Sequence, residues 1–259
     1  METTGVKQYK YSILTFVFGV YEKLHEIGEM DSEVEYICVT DNENLKSDTW
    51  KIVVDHELDG KGVFDKCFSV RYNPFKYVSS DVVVTVDGSI GLHKPISPLV
   101  NKFIESDCDA SFLIHAYRDN LIVEYNTWVA YRKFPLERAR KHVSFLGGLG
   151  YDFNKKGLIQ LNFTMKKKRK IVNDLDSVMY RVQKYLGDEK DVDRLDQTVL
   201  TGILDRFFPD IKIFAVGENI IHSEYMTWYY HNSDEEVSYV PSKVLKPHLF
   251  NKEVMLNDF

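Results

Sequence analysis

Val82–Val86 is an unbroken run of apolar and β-branched residues, VVVTV, preceded by Asp81 and followed at once by Asp87-Gly88-Ser89. A strand without polar alternation buries both faces, the condition of a strand in the middle of a mostly parallel sheet covered by helices. Residues 81–86 therefore read as the centre of an α/β domain. Residues 11–18 (YSILTFVF), ended by Gly19, make a buried strand, and a helix-like stretch follows to about Gly28. Residues 35–40 (EYICVT), stopped by Asp41-Asn42, make the next strand, giving a βαβ unit. Residues 50–54 and 111–115 supply two more strands, and 211–215 a last one.

Helical spacing marks three later segments. Over 119–131, Leu121, Ile122, Tyr125, Trp128 and Val129 share a face. A helix capped by Asp174 carries Leu175, Val178, Met179, Val182 and Leu186, and ends at Gly187. Another carries Leu195, Val199, Leu200, Ile203 and Phe207, and Pro209 stops it. With no internal repeat and the seven prolines scattered, the chain reads as one domain over 1–259. Its core is 10–215, and a less regular tail, 216–259, packs near the site.

Composition limits the function. The 39 acidic against 33 basic residues leave a net charge of −6, which argues against bulk attraction to nucleic acid. Cys38, Cys67 and Cys108 lie far apart without a metal or disulfide spacing, so buried thiols in a reducing compartment are expected. No apolar run approaches the ~20 residues of a membrane helix, and a cytoplasmic soluble protein is the expectation.

In open α/β sheets, ligands bind beyond the carboxyl ends of the strands. That rule selects Gly19-Val20-Tyr21, Thr40-Asp41-Asn42, Asp87-Gly88-Ser89 and His115. Asp87, directly after the most buried strand, has the rigid mount that a divalent cation on a diphosphate needs. An Asp before Gly is equally an ordinary turn residue.

Taken in order, Thr40-Asp41-Asn42, Trp50, Arg71-Tyr72-Asn73-Pro74-Phe75-Lys76, Val86-Asp87-Gly88-Ser89-Ile90, His115-x-x-Arg118 with Glu124, and Arg194-Leu195-Asp196-Gln197 resemble a family of GT-A-type glycosyltransferases. That family was long catalogued as a domain of unknown function and has plant members tied to cell-wall polysaccharide synthesis. The resemblance spans roughly 10–215. It implies a Rossmann-like nucleotide-binding half and transfer from a nucleotide sugar, most readily a uridine diphosphate sugar, to a glycan or lipid-linked acceptor. It also implies a Mn²⁺ or Mg²⁺ held by Asp87, although Thr85 stands where the first Asp of Asp-x-Asp belongs, with His222 as a late ligand. Asp196-Gln197 is similar to the pair beneath the donor sugar in glycogenin-like retaining transferases, and an Asp in a first helical turn also suits the macrodipole.

The remaining assignments follow from that frame. Gly19, Tyr21, Thr40 and Asp41 are expected around the base, with Tyr21 stacking, while Lys66 or Arg71 neutralises phosphate and Gly88 and Ser89 complete the donor site. His115 and Arg118 face a pyrophosphate or an anionic sugar, or form a structural trio with Glu124, which is too far round an α-helix to share a face with Arg118. Residues 166–170 (KKKRK) suggest an anionic acceptor or a peripheral contact with the inner membrane face, or simply a solvated loop. Arg132-Lys133 and the basic stretch 138–141 add to the acceptor idea. A sugar-phosphate nucleotidyltransferase is the enzyme alternative, opposed by the lack of a Gly-rich basic loop after the first strand. An inactive glycan-binding scaffold is the non-enzyme one.

Overall fold

The run at 82–86 sits in the middle of the sheet, and its alternation shows why it carries no polar side. Val82, Val84 and Val86 pack into one hydrophobic layer with Leu99 and Phe103, while Val83 points into the opposite layer with Leu14, Phe16 and Val70. Each such buried aliphatic or aromatic side chain contributes about 1.5–3 kcal/mol relative to exposure.

The structure, a computed structural model, describes residues 8–115, 118, 120–130, 135–153, 155–187, 196–237 and 253–256. In chain order its elements are β1 (Tyr11–Val17), β2 (Val34–Thr40), β3 (Lys51–Val54), α1 (Val63–Arg71), β4 (Val82–Val86), β5 (Ile90–Leu92), α2 (Ser97–Glu105) and β6 (Ala110–Ile114). Then come α3 (Leu121–Ala130), α4 (Leu136–Gly148), β7 (Ile159–Lys167), α5 (Lys170–Leu186), α6 (Asp196–Phe207), β8 (Ile213–Gly217), β9 (Met226–Trp228) and β10 (Glu253–Leu256). The large sheet has the order β10-β8-β6-β7-β4-β1-β2-β3. All its pairings are parallel except the two made by β7. A separate two-stranded ribbon pairs β5 with β9. The fold is thus α/β, with a mostly parallel central sheet flanked by helices.

Several expectations change. The chain between β1 and β2 holds no helix; it crosses as an irregular loop pinned by Gly28 N–H to Leu92 O and by Trp50 Nε1–H to His25 O. Trp50 precedes β3 rather than belonging to it. The second-last helix begins at Lys170, and Asp174 pairs with Lys170 one turn inside it instead of capping. Phe207, assigned to a buried stripe, is exposed. Arg194, Leu195 and Arg132-Lys133 lie outside the described residues.

The basic block is the largest correction. Lys166 and Lys167 are the end of the central strand β7 and are buried. Lys166 Nζ donates to Asp176 at 2.7 Å and to the Arg71 carbonyl at 3.0 Å, and Lys167 Nζ donates to the carbonyls of Ile104 and Ser106. Arg169 pairs with Asp109. These cations neutralise or cap inward-facing groups, so residues 166–170 present no continuous basic surface to a membrane or an anionic acceptor. Burying a lysine demands partners of this kind. Cys38, Cys67 and Cys108 are free thiols, and burial pushes Cys38 up to about 12. No helix among the described residues is long and apolar enough to cross a membrane.

Candidate functional site

The register of the parallel strands gathers the loops that matter. Val17 stands beside Thr40, and Leu14 beside Thr85. The chain leaving β1, β2 and β4 therefore emerges at one edge, where antiparallel β7 begins; the Asp87 amide donates to the Asn162 carbonyl there at 3.0 Å. A cleft of about 660 Å³ opens at this edge.

Its floor is built on Arg71, at the end of α1. The buried guanidinium gives Nη2 to Asp87 and Nη1 to Asp196, so one cation bridges the end of β4 and the start of α6. Burial disfavours the Arg71 charge, but the two carboxylates outweigh it and hold its pKa above the ordinary value. Asp196 is shifted the other way, upward, because burial and the neighbouring Asp87 outweigh the attraction of Arg71. Gly88 is required for packing: a Cβ there would lie 2.9 Å from the Glu22 Cβ and 3.1 Å from the Phe16 carbonyl.

Of the expected donor-binding residues, Tyr21, Arg71, Asp87, Gly88, Ser89 and Arg118 line this cleft, as do Asp196 and Gln197, expected to be catalytic. Gly19, Thr40, Asp41 and Lys66 are not among its lining residues; Gly19 and Lys66 are tied to Asp41 instead. Gly19 turns with φ +60°, a conformation that suits glycine, and its N–H donates to Asp41 Oδ1 at 3.0 Å. Lys66 Nζ holds Asp41 Oδ2 at 2.7 Å. Although burial acts to raise the Asp41 pKa, Lys66 and the Gly19 amide bring it below the ordinary carboxylate value. Thr40 is fully buried and its hydroxyl accepts the Asn42 N–H. Lys66 is therefore committed to Asp41, and of the two cations only Arg71, itself paired with Asp87 and Asp196, lines the cleft.

His115 is not a cleft residue. It lies 3% exposed behind the floor, with its amide on the Leu158 carbonyl and its Nδ1 4.0 Å from Glu218, and desolvation followed by the Arg118 charge pushes it down to about 3. A neutral imidazole of this kind carries no positive charge to a phosphate. Arg118, by contrast, reaches back to Glu124 at 2.6 Å, although the two do not share a helical face: α3 starts at Leu121, so Arg118 is free of its periodicity. Glu124 also accepts from Trp128 Nε1 at 2.5 Å and Gln197 Nε2 at 3.1 Å. One fully buried carboxylate thus positions three side chains of the cleft wall.

The metal site implied by the resemblance is not assembled. Asp87 is paired with Arg71, and Thr85 is buried in the sheet. His222 lies outside the cleft, its ring 6.0 Å from that of Trp228, and burial lowers its pKa. Among the described residues no group of three or more His, Cys, Asp or Glu is arranged to hold a metal ion. The residues present do not fit the implied ion.

Four polar residues of the cleft escaped sequence reasoning. Gln160 and Asn162 are more than nine-tenths buried on β7, and Gln160 Oε1 and both side-chain polar atoms of Asn162 have no hydrogen-bond partner. They stand where β7 slips register against β6, from Phe112 opposite Thr164 to Leu113 opposite Gln160. Such a bulge re-aims side chains beside a site. The alternation Gln160, Asn162, Thr164 against Leu161, Phe163, Met165 was the available signal. The others are Glu22, in the loop after β1, and His231, carried over the cleft by the β5/β9 ribbon together with Trp228.

No protein-family model matches this sequence, and no curated protein does. Among solved structures, it is similar to 4-diphosphocytidyl-2C-methyl-D-erythritol synthase from Anaerococcus prevotii, with 15% identity, covering 82% of this chain and 87% of that one at a TM-score of 0.38. It is also similar to a Bacillus anthracis protein assigned as a glucose-1-phosphate thymidylyltransferase and solved with sucrose, with 9% identity, covering 84% and 89% at a TM-score of 0.40. Likeness at this level carries no argument about activity.

Proposed function

We propose that the cleft takes a nucleotide-linked sugar and that the chain is a transferase acting on it, moving the glycosyl group to a hydroxyl of a glycan or lipid-linked acceptor. The observation that carries this reading is the convergence of an Arg71-bridged carboxylate pair with unpartnered amides inside one cleft at the carboxyl edge of the sheet. Buried amides lacking partners cost about 1–3 kcal/mol each, and a hydroxyl-rich ring supplies partners to Gln160 and Asn162. Trp228 offers a ring face on which a base stacks, whereas the Tyr21 ring already has the His231 ring against it at 4.5 Å. In the reaction the bond from the anomeric carbon to the phosphate oxygen breaks and its electron pair leaves with the diphosphate. Arg71 is the nearby cation for that charge, and Asp196 is the carboxylate for the positive charge developing on the sugar.

Nucleotidyl transfer to a sugar phosphate is the second reading, since a mostly parallel sheet with a cleft at its carboxyl edge serves that chemistry too. The loop after β1 bears on it: of its two glycines, Gly19 gives its amide to Asp41 and Gly28 gives its amide to the Leu92 carbonyl. A triphosphate is normally wrapped by several successive free amides. Two assays separate the readings, both run with and without Mn²⁺: release of free diphosphate from a panel of nucleoside diphosphate sugars, and release of pyrophosphate from nucleoside triphosphate plus sugar 1-phosphate. The first reaction alone supports glycosyl transfer, the second alone supports nucleotidyl transfer, and binding without either supports an inactive scaffold.

A further inference from the structure

Glu22 and His231 meet across the mouth of the cleft from opposite ends of the chain. Glu22 follows β1 and its side chain is nine-tenths buried, whereas His231 follows β9 and is half-exposed. His231 Nδ1 lies 2.7 Å from Glu22 Oε1, its Nε2 lies 3.2 Å from the Tyr21 hydroxyl, and its ring is 4.5 Å from the Tyr21 ring. A buried carboxylate on one imidazole nitrogen fixes the ring and its tautomer, directing the other nitrogen outward as a proton acceptor. Both residues line the same cleft as Asp87 and Asp196.

We infer that His231, oriented by Glu22, is the general base that deprotonates the acceptor hydroxyl. The inference rests on the glycosyl-transfer reading and deepens it, because a sugar phosphate arrives already ionised and needs no base, whereas a hydroxyl does. The proton of the acceptor passes to His231 Nε2 as its oxygen forms the new bond to the anomeric carbon, and the old bond to the phosphate oxygen breaks with its electron pair on the leaving diphosphate. Tyr21, now hydrogen-bonded to Nε2, gives way to the acceptor.

Among the described residues, the groups facing this imidazole include Tyr21 and Glu22 from the first loop, with Asp87 beyond Glu22. Along the strap that carries it, Asp234 pairs with Lys23 and lies 3.9 Å from His25. Burial holds the Glu22 carboxyl above the ordinary value despite the His231 contact, the nearby Asp87 charge adds to that rise, and the Asn232 backbone opposes it. The strap is anchored separately by Tyr229, stacked on His25 at 4.2 Å, so replacing His231 leaves its main attachments in place.

The test compares wild type with His231→Ala and Glu22→Gln, measuring transfer and donor hydrolysis across pH, donor affinity by calorimetry, and melting temperature. General bases contribute typically 10²–10⁴-fold. His231→Ala is expected to lower kcat by about 100-fold or more with donor affinity within about twofold, to lose the rising limb of the pH profile, and to regain part of its rate with added imidazole. Glu22→Gln is expected to shift that limb while keeping the fold. Activity within about threefold of wild type with the same pH profile overturns the inference, as does a fall in donor affinity that accounts for the whole loss, which marks a clasp. Wild type that binds nucleotide sugars but transfers to no hydroxyl overturns the base and leaves the binding reading standing. Wild type that binds no nucleotide sugar overturns both.

Discussion

The Arg118 guanidinium lies 2.6 Å from the Glu124 carboxylate, which is wholly buried, while Arg118 itself is a quarter exposed at the cleft. Removing one partner of such a pair strands a buried charge. Arg118→Ala is expected to cost on the order of 3 kcal/mol in the urea-unfolding free energy, and Arg118→Lys less, because a point charge restores the neutralisation without the planar fork. A melting curve for Arg118→Ala that overlays wild type removes the pair from the scaffold.

Asp196 is asked to act on the reacting sugar, although it also starts α6. Asp196→Asn is expected to lower turnover at least tenfold, a transition-state loss of about 1.4 kcal/mol, with nucleotide affinity nearly unchanged. Steady-state kinetics beside a melting curve decide it: several degrees lost with turnover intact makes Asp196 a helix-start residue.

His115 predicts a pH dependence. Its folded pKa, about 3, is below the ordinary value of 6.5, so between these values the unfolded chain binds the extra proton and the folded one does not. Stability is therefore full above pH 6.5 and falls as pH drops towards 3, by up to about 1.4 kcal/mol per unit from this one group. His115→Gln is expected to flatten that slope in urea midpoints taken from pH 7 to 4, and an unchanged slope assigns the acid sensitivity elsewhere.

Lys166 and Asp176 form an enclosed ion pair, each about 95% or more buried, and burial lifts the Asp176 pKa against the pull of Lys166. Lys166→Met alone and Asp176→Leu alone are each expected to destabilise by about 3–5 kcal/mol, and the double variant by far less than their sum. Additive losses in a double-mutant cycle mean that the two charges act separately.

Much of the architecture was legible because periodicity was strong: β1, β2, β4 and β6 bury both faces and announce themselves as apolar runs. β7 was not legible, since its last residues are lysines and hydropathy reads Lys166 and Lys167 as surface. Only the tertiary partners, Asp176 and the carbonyls of Arg71, Ile104 and Ser106, make them interior. In the site, the strand-end rule found Tyr21, Asp87, Gly88 and Ser89, which lie local to a strand terminus. It misplaced His115 because one residue more or less at a strand end decides whether a side chain enters the cleft or the layer behind it. Glu22 and His231 gave no local signal at all; their meeting is a property of the ribbon pairing Leu92 with Met226.

The position of β7 has a consequence for how the molecule is put together. β4 and β6 follow one another among the strands of the large sheet yet do not pair; β7, which comes after both, is the wedge between them. Until residues 159–167 arrive, the sheet is two half-sheets, β3-β2-β1-β4 on one side and the β6 edge on the other, each with an open border. Non-local closure of this kind is slow, and open borders invite strand exchange with other molecules. One backward-running strand therefore closes both borders and carries Gln160 and Asn162 to the cleft, so the unpartnered cleft amides depend on the same strand that makes the sheet whole.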